Sequence, residues 1–345
     1  MMGVKNELLK EAELTRSVNL CDERGQLLEE AIGWSRQPVF NCNLSKHFLR
    51  KKKWNYWCVT NSDCLFSITI SNLDYAAMVF AYFLDLKTFK FIEKTVVTPF
   101  ARGCSIQENV HTPVCFEHSE MKVDFLEEDN NTHILVKCKN FDGMPMSADF
   151  KVIYPEGHET LNVVIPWNKK TFQFTSKQEC LPVDGTLTIG EQLYNFNKAD
   201  TFACLDFGRG VWPRQISWNW ANASGISNNR VVGFNLGAKW TDETGMTENC
   251  LVVDGKITKL SEDIIFEYDN ANLMNPWTLK TGITDRVNLI FTPIYERVSK
   301  SNFLVIKSDM HQMVGHFSGT IITDSGETIK VNNILGCSEE HFAKW

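Results

Sequence analysis

At 345 residues the chain is longer than most single domains, which predicts two domains or one unusually large one. Hydrophobic residues make up 43% and charged residues 22%, the composition of a globular protein with a sizeable core. The formal net charge of −7 argues against nucleic acid as the main partner, since neutralising phosphates takes a basic footprint.

The opening MMGVKNELLKEAELTRSVNL has no apolar core, so no signal peptide is expected. Within it, residues 4–14 read as a short helix, and 22–34 as turns leading into the body; 1–34 is an N-terminal extension. From there β signals dominate. FSITISNL (66–73), MVFAYFLDL (78–86), KFIEKTVV (90–97), THILVKCKN (132–140) and LNVVIPW (161–167) are rich in β-branched and aromatic residues between polar breaks. The longest apolar run, Tyr75 to Leu84, falls far short of the roughly 20 residues a membrane span requires. Arg50 to Lys53 read as a solvated strand edge, with an anion-holding barrel mouth as the alternative. The stretch 167–200, with scattered Asn, Lys, Gly and Pro, reads as a crossover. Beyond it RVVGFNLGAKW (230–240), NCLVVDGKITKL (249–260), VNLIFTPIYER (287–297), FLVIKS (303–308), HFSGTIITDSGETIKV (316–331) and the final EEHFAKW repeat the style.

Short strands joined by turns such as VDGK and TDSGE, without intervening amphipathic helices, predict an all-β chain. The expected architecture is two tandem antiparallel β-barrels, or strongly curved β-sandwiches, packed together with few short helices. A weak internal repeat supports this: KWNYW at 53–57 echoes SWNW at 217–220, and the following strand and hairpin recur in register. The expected units are 35–189 and 190–345. Eleven cysteines include no CxxC pair, and the histidines have no zinc spacing. Reduced, mostly buried thiols in a cytoplasmic protein are expected, with no metal. No Gly-rich nucleotide loop occurs, so no cofactor is expected.

The densest chemistry lies in LDFGRGVWPRQISWNWANASG (205–225). With CDERGQLLEEAIGWSRQPVFNCNL, RKKKWNYW, SNLDYA, FNLGAKWTDETGMTEN, FTPIYERVSKSNFLVIKSDMHQMVGHFSG and EEHFAKW, it resembles the family called domain of unknown function 2804 over nearly the whole chain. More distantly, the chain is similar to the two-barrel, lipocalin-like group of carotenoid hydratases, tocopherol cyclase and Diels–Alderase-type cyclases. That resemblance implies two lipocalin-like barrels with a ligand cavity; it carries over no catalytic residue.

In the 205–225 stretch, Gly208 and Gly210 permit a tight or bulged turn, and Pro213 argues against a central strand there. Alternation then puts Trp218, Trp220 and Asn222 on one face and Asn219 and Ala221 on the other. The functional reading makes Asp206 an acid or base, Arg209 its electrostatic partner, and Trp212, Trp218 and Trp220 the walls of a pocket. The alternative is barrel core with a corner ion pair. Indole faces suit a developing carbocation, as in a cyclase, isomerase or hydratase acting on a lipophilic, isoprenoid-like small molecule; they also stack on sugars. TDETGMTEN (241–249), beside Trp240, reads as a solvated hairpin turn or as a source of catalytic acids, of which Glu248 is the best placed; with Asp206 it gives the glycosidase or glycan-binding alternative. His311 reads as a general acid or ligand anchor, with a hydrogen-bonded strand histidine as the alternative, and Gln312 beside it as a ligand contact. A non-enzymatic binding protein is the third reading.

Overall fold

The computed structural model describes residues 7–303 and 306–344; they form two curled antiparallel sheets, the first with a short edge pairing at Trp34–Ser35, and a two-residue parallel pairing of Val18–Asn19 with Phe40–Asn41. The first is built from β1 (Lys51–Thr60), β2 (Cys64–Asn72), β3 (Ala76–Asp85), β4 (Phe91–Pro99), β5 (Cys104–Ile106), β6 (Val114–Glu117), β7 (Met121–Glu128), β8 (Asn131–Phe141), β9 (Met144–Ile153), β10 (Leu161–Asn168), β11 (Thr171–Ile189), β12 (Gln192–Phe196) and β13 (Phe202–Val211). The second contains β14 (Gln215–Ser227), β15 (Arg230–Ala238), β16 (Cys250–Val253), β17 (Lys256–Lys259), β18 (Ile264–Glu267), β19 (Trp277–Thr281), β20 (Val287–Phe303), β21 (Ile306–Ile322) and β22 (Thr328–Lys344). One 3-10 turn, Glu29–Ala31, is the helical element among the described residues.

Strand order exposes the duplication. The first sheet runs β4-β3-β2-β1-β13-β11-β9-β8-β7-β6-β5, and the second runs β17-β16-β15-β14-β22-β21-β20-β19-β18. In each, a four-strand meander is joined through its first strand to the last strand of the sheet. Trp54 and Trp218 stand on those equivalent first strands, β1 and β14, as the repeat predicts. Because β13 closes the first sheet between β1 and β11, the sheets part at residues 212–214, later than the expected boundary at 189/190.

Alternation explains each interior. In β9, Met146, Ala148, Phe150 and Val152 point inward while Ser147, Asp149 and Lys151 face water. Phe66, Phe116, Phe125, Phe150, Phe172 and Phe174 fill the first half-barrel; Phe234, Trp277, Phe291 and Phe317 fill the second. β1 is buried on both faces, because its outer face packs against the other half-barrel.

Several expectations are corrected here. Residues 7–14 are not helical; residues 4–6 lie outside the described part, as do Leu304 and Val305 of the expected strand 303–308 and the terminal Trp345. The segment is drawn out instead because it pairs with both units: Glu13 bridges to Trp34, and Leu9 N donates to Ser261 O. Residues 171–189 are not a crossover but one 19-residue strand, which hydrogen-bonds to β13, β10, β9 and β12 in turn. Lys52 and Lys53 are no solvated edge. They are buried in β1, Lys53 paired with Glu108 and Lys52 held over the Tyr75 ring at 4.4 Å. Nor do Gly208 and Gly210 make a turn; β13 stays paired through Val211.

Candidate functional site

The seam between the half-barrels is where chemistry concentrates, and it is built twice. Asp206 on β13 is the register partner of Tyr56 on β1 and of Lys177 on β11. In the second unit, Glu339 on β22 is the register partner of Trp220 on β14 and of Gln312 on β21. Asp206 and Glu339 are therefore equivalent positions, as are Tyr56 and Trp220, and Lys177 and Gln312. The equivalent aromatics meet edge-to-face across the seam at 5.8 Å.

Lys177 breaks the symmetry. Its ammonium, buried and 5.2 Å from the Trp220 ring, binds Asp206 Oδ1 at 2.8 Å and Glu248 Oε2 at 2.9 Å. Burial works against that charge, but the two carboxylates raise its pKa above the ordinary lysine range. Burial lifts the Glu248 carboxyl above its usual value despite Lys177, and Trp240 Nε1 donates to Glu248 Oε1 at 2.5 Å. Gly237 makes that reach possible, because a Cβ there would lie 1.9 Å from Glu248 Oε1.

Glu339 has Gln312 where Asp206 has Lys177. Trp218 Nε1 donates to its Oε1 at 2.8 Å and Gln312 Nε2 to its Oε2 at 3.2 Å. Without a contacting cation among the described residues, burial pushes its carboxyl up to about 7, against the Trp218 hydrogen bond and the more distant Arg297. Tyr82 donates to Gln312 Oε1 at 2.8 Å and lies 2.9 Å from the Tyr56 hydroxyl, so a hydrogen-bond chain runs from Glu339 into the first unit. Glu179, another seam carboxyl, is held well above its usual range by burial and accepts from Ser224 Oγ at 3.0 Å.

Beside these groups lies a tryptophan cluster centred on Trp212, in the link between the sheets. Its ring is 5.0 Å from Trp167, 5.2 Å from Trp240, 5.7 Å from Trp54 and 5.9 Å from Trp218. Trp54, Trp167 and Trp218 form its half-buried side. Gly208 and Gly210 serve this cluster: a Cβ would lie 2.2 Å from the Trp54 ring or 2.3 Å from Gln173 Oε1, and Gln173 accepts from Trp212 Nε1.

The seam thus gathers Asp206, Glu248, Trp212, Trp218, Trp220, Trp240 and Gln312. Three expected residues go elsewhere. Arg209, three positions from Asp206, points to the opposite face of β13, into the first half-barrel. There it is fully buried and bonded to the carbonyls of Trp54, Gly208 and Gln107 and to Asn55 Oδ1. Burial brings it down to about 9, and it makes no ion pair with Asp206. Asn219 faces the second interior, donating to Tyr268 Oη and Glu339 O at 3.1 Å. His311 is one residue out of phase with Gln312 and bonds Glu296 Oε1 at 2.6 Å instead. Lys177, Glu179, Glu339 and Tyr82 were not anticipated. For Lys177 and Glu179 the signal is the polar alternation of TFQFTSKQE, in which Phe172 and Phe174 go inward and Gln173, Thr175, Lys177 and Glu179 go to the seam. An open groove of about 470 Å³ among Lys122, Lys137, Lys139 and their neighbours lies on the outside of the first sheet and contains none of these groups.

The family described as Domain of unknown function (DUF2804) matches residues 11–345. The chain belongs to this family. No curated protein matches the sequence significantly. Among solved structures, the fold is similar to CghA crystallised with Sch210972, which is 11% identical with a TM-score of 0.55, covering 94% of this chain and 97% of that one. CghA alone gives 10% identity and a TM-score of 0.52 over 87% and 90% of the two chains. Kievitone hydratase from Nectria haematococca is 10% identical, with a TM-score of 0.43 over 99% and 98%. At these identities the likeness to CghA establishes the two-half-barrel fold of this family member, and the fold alone. No helix among the described residues is long and apolar enough to cross a membrane.

Proposed function

We propose that the seam binds a small, largely apolar molecule against Trp54, Trp167 and Trp218 and acts on it by proton transfer, as a cofactor-independent cyclase, isomerase or hydratase. The observation that carries this reading is the pair of equivalent carboxyls in unequal settings. Asp206 is neutralised by Lys177, whereas Glu339 has no contacting cation among the described residues and is pushed up to about 7. A carboxyl poised near neutrality can both give and take a proton at the working pH. Trp218 joins the two parts, since one face of the indole borders the cluster while its N–H holds Glu339. That CghA was crystallised with Sch210972 is in keeping with a small-molecule ligand in this frame. The described cysteines are all free, which fits the reducing, cytoplasmic setting we infer. The glycan alternative has less support: Asp206 and Glu248 lie within about 6 Å of each other through Lys177, near the spacing of a retaining pair, but one ammonium holds both.

The test begins with native mass spectrometry and solvent extraction of the purified chain, to identify what it carries. The extracted compound, titrated back by tryptophan fluorescence, should bind Trp218→Ala at least tenfold more weakly. Glu339→Gln should keep binding and lose turnover by about a hundredfold or more. Unchanged turnover in Glu339→Gln would overturn the proton-transfer role, and a bound sugar would overturn the ligand class.

A further inference from the structure

A second cluster in the seam takes no part in the chemistry above. Cys58 on β1 and Cys204 on β13 are register partners, which sets their Cα atoms about 4.5–5.5 Å apart, within the span a disulfide bridges. Cys337 on β22 is the register partner of Asn222, whose Nδ2 crosses the seam to Cys204 Sγ at 2.9 Å. Under the duplication Asn222 is the equivalent of Cys58, and Cys337 of Cys204. The cross-seam contact of Asn222 with Cys204 therefore has its mate in Cys58 with Cys337. All three cysteines are buried and line one void of about 10 Å³, room for about one water-sized molecule.

We propose that Cys58, Cys204 and Cys337 form a peroxide-oxidation site, with Cys58 the sulfur that peroxide oxidises first and one of the other two thiols closing a disulfide on it. Cys58 is singled out by its surroundings: hydrogen bonds from the Cys204 and Cys337 thiols, and from the Tyr56 hydroxyl, favour its thiolate despite burial. Burial pushes Cys21, Cys42, Cys180 and Cys250 the other way. The Cys58 thiolate attacks one oxygen of hydrogen peroxide, the O–O bond breaks, and the leaving hydroxide takes a proton to become water. The sulfenic acid left on Cys58 is then attacked by the sulfur of Cys204 or Cys337, which gives up its proton. The S–O bond breaks, the S–S bond forms and a second water departs, so two thiols lose two electrons to one peroxide. Closure by Cys337 would join the two half-barrels covalently. A void of this size excludes a bulky disulfide.

The experiment uses the full chain carrying Cys115→Ser, since Cys115 is the exposed thiol. It is treated with a few equivalents of hydrogen peroxide or, separately, with glutathione disulfide, then alkylated, digested and mapped by mass spectrometry. Peroxide should lower the free-thiol count by two and yield a cross-linked peptide joining Cys58 to Cys204 or Cys337. Glutathione disulfide should leave all three reduced, and adding Cys58→Ser should keep Cys204 and Cys337 reduced at the same peroxide dose. A disulfide elsewhere in the chain, a trio still reduced after peroxide, a glutathione adduct on the trio, or a Cys204–Cys337 bond without Cys58 would each overturn the proposal. Should Cys58→Ser not fold, the peptide map of the parent chain decides alone.

Discussion

A carboxyl that titrates near 7 leaves a mark on stability as well as on catalysis. Glu339 starts from an ordinary value of 4.5 and is raised to about 7 in the folded chain, so the folded state holds a proton that the unfolded state has released. The stability this proton adds is complete below about pH 4.5 and is lost as pH climbs through about 7. Glu339→Gln, neutral at every pH, should remove this component of the slope. Between pH 4.5 and 8 the parent should lose on the order of 3 kcal/mol more than the variant, read from urea midpoints at several pH values. Equal slopes would show that Glu339 titrates in its ordinary range. None of this was visible from Glu339 in the sequence, where it is one acid in a charged tail; its meaning comes from register with Trp220 and Gln312. Asp206 and the tryptophans were legible because aromatic density and short-range alternation are local. Arg209 was misplaced because an odd spacing along a straight strand inverts the face, and Gly208 and Gly210 had suggested that the strand bends.

At the level of elements, the N-terminal segment and β11 are what sequence patterns conceal. Residues 7–14 have helix-forming composition, yet tertiary partners draw them out. Glu11 is the reason: its Oε2 lies 2.7 Å from Lys259 Nζ, both side chains are nearly inaccessible, and its Oε1 accepts from Thr247 N at 2.6 Å. Thr247 Oγ1 and Leu260 O complete the shell of that ammonium. Glu11→Ala would leave a buried ammonium uncompensated, a loss of about 3–5 kcal/mol, measurable as a shift in denaturation midpoint. A change under about 1 kcal/mol would mean the segment merely rests on the second unit. β11 is hidden differently. Its residues look loop-like because both of its faces are buried, one apolar and one polar, and a polar buried face has the composition of a solvated one.

For the whole molecule, the strand pattern and the repeat were enough to read two similar β units, since each strand carries its own alternation and the Trp-Asn pairs keep their places. The point where one sheet gives way to the other was not legible, because β13 is required to close the first sheet and no local signal says so. The seam makes the halves interdependent. Lys177 of one unit is ion-paired with Glu248 of the other, and Arg297 of the second with Glu93 of the first. Expressed separately, 1–213 and 214–345 should therefore fail to give soluble monomers, whereas co-expressed they should elute together on size exclusion. A stable monomeric half would contradict this.

The matched registers of Asp206 and Glu339 also speak of origin. A half-length ancestor with one nine-strand sheet could have closed this seam as a symmetric homodimer, with one acid contributed by each copy. Joining the copies end to end freed the two positions from having to be identical. The partner of one acid is now Lys177 and that of the other Gln312, a division of labour that no dimer of identical chains could have evolved.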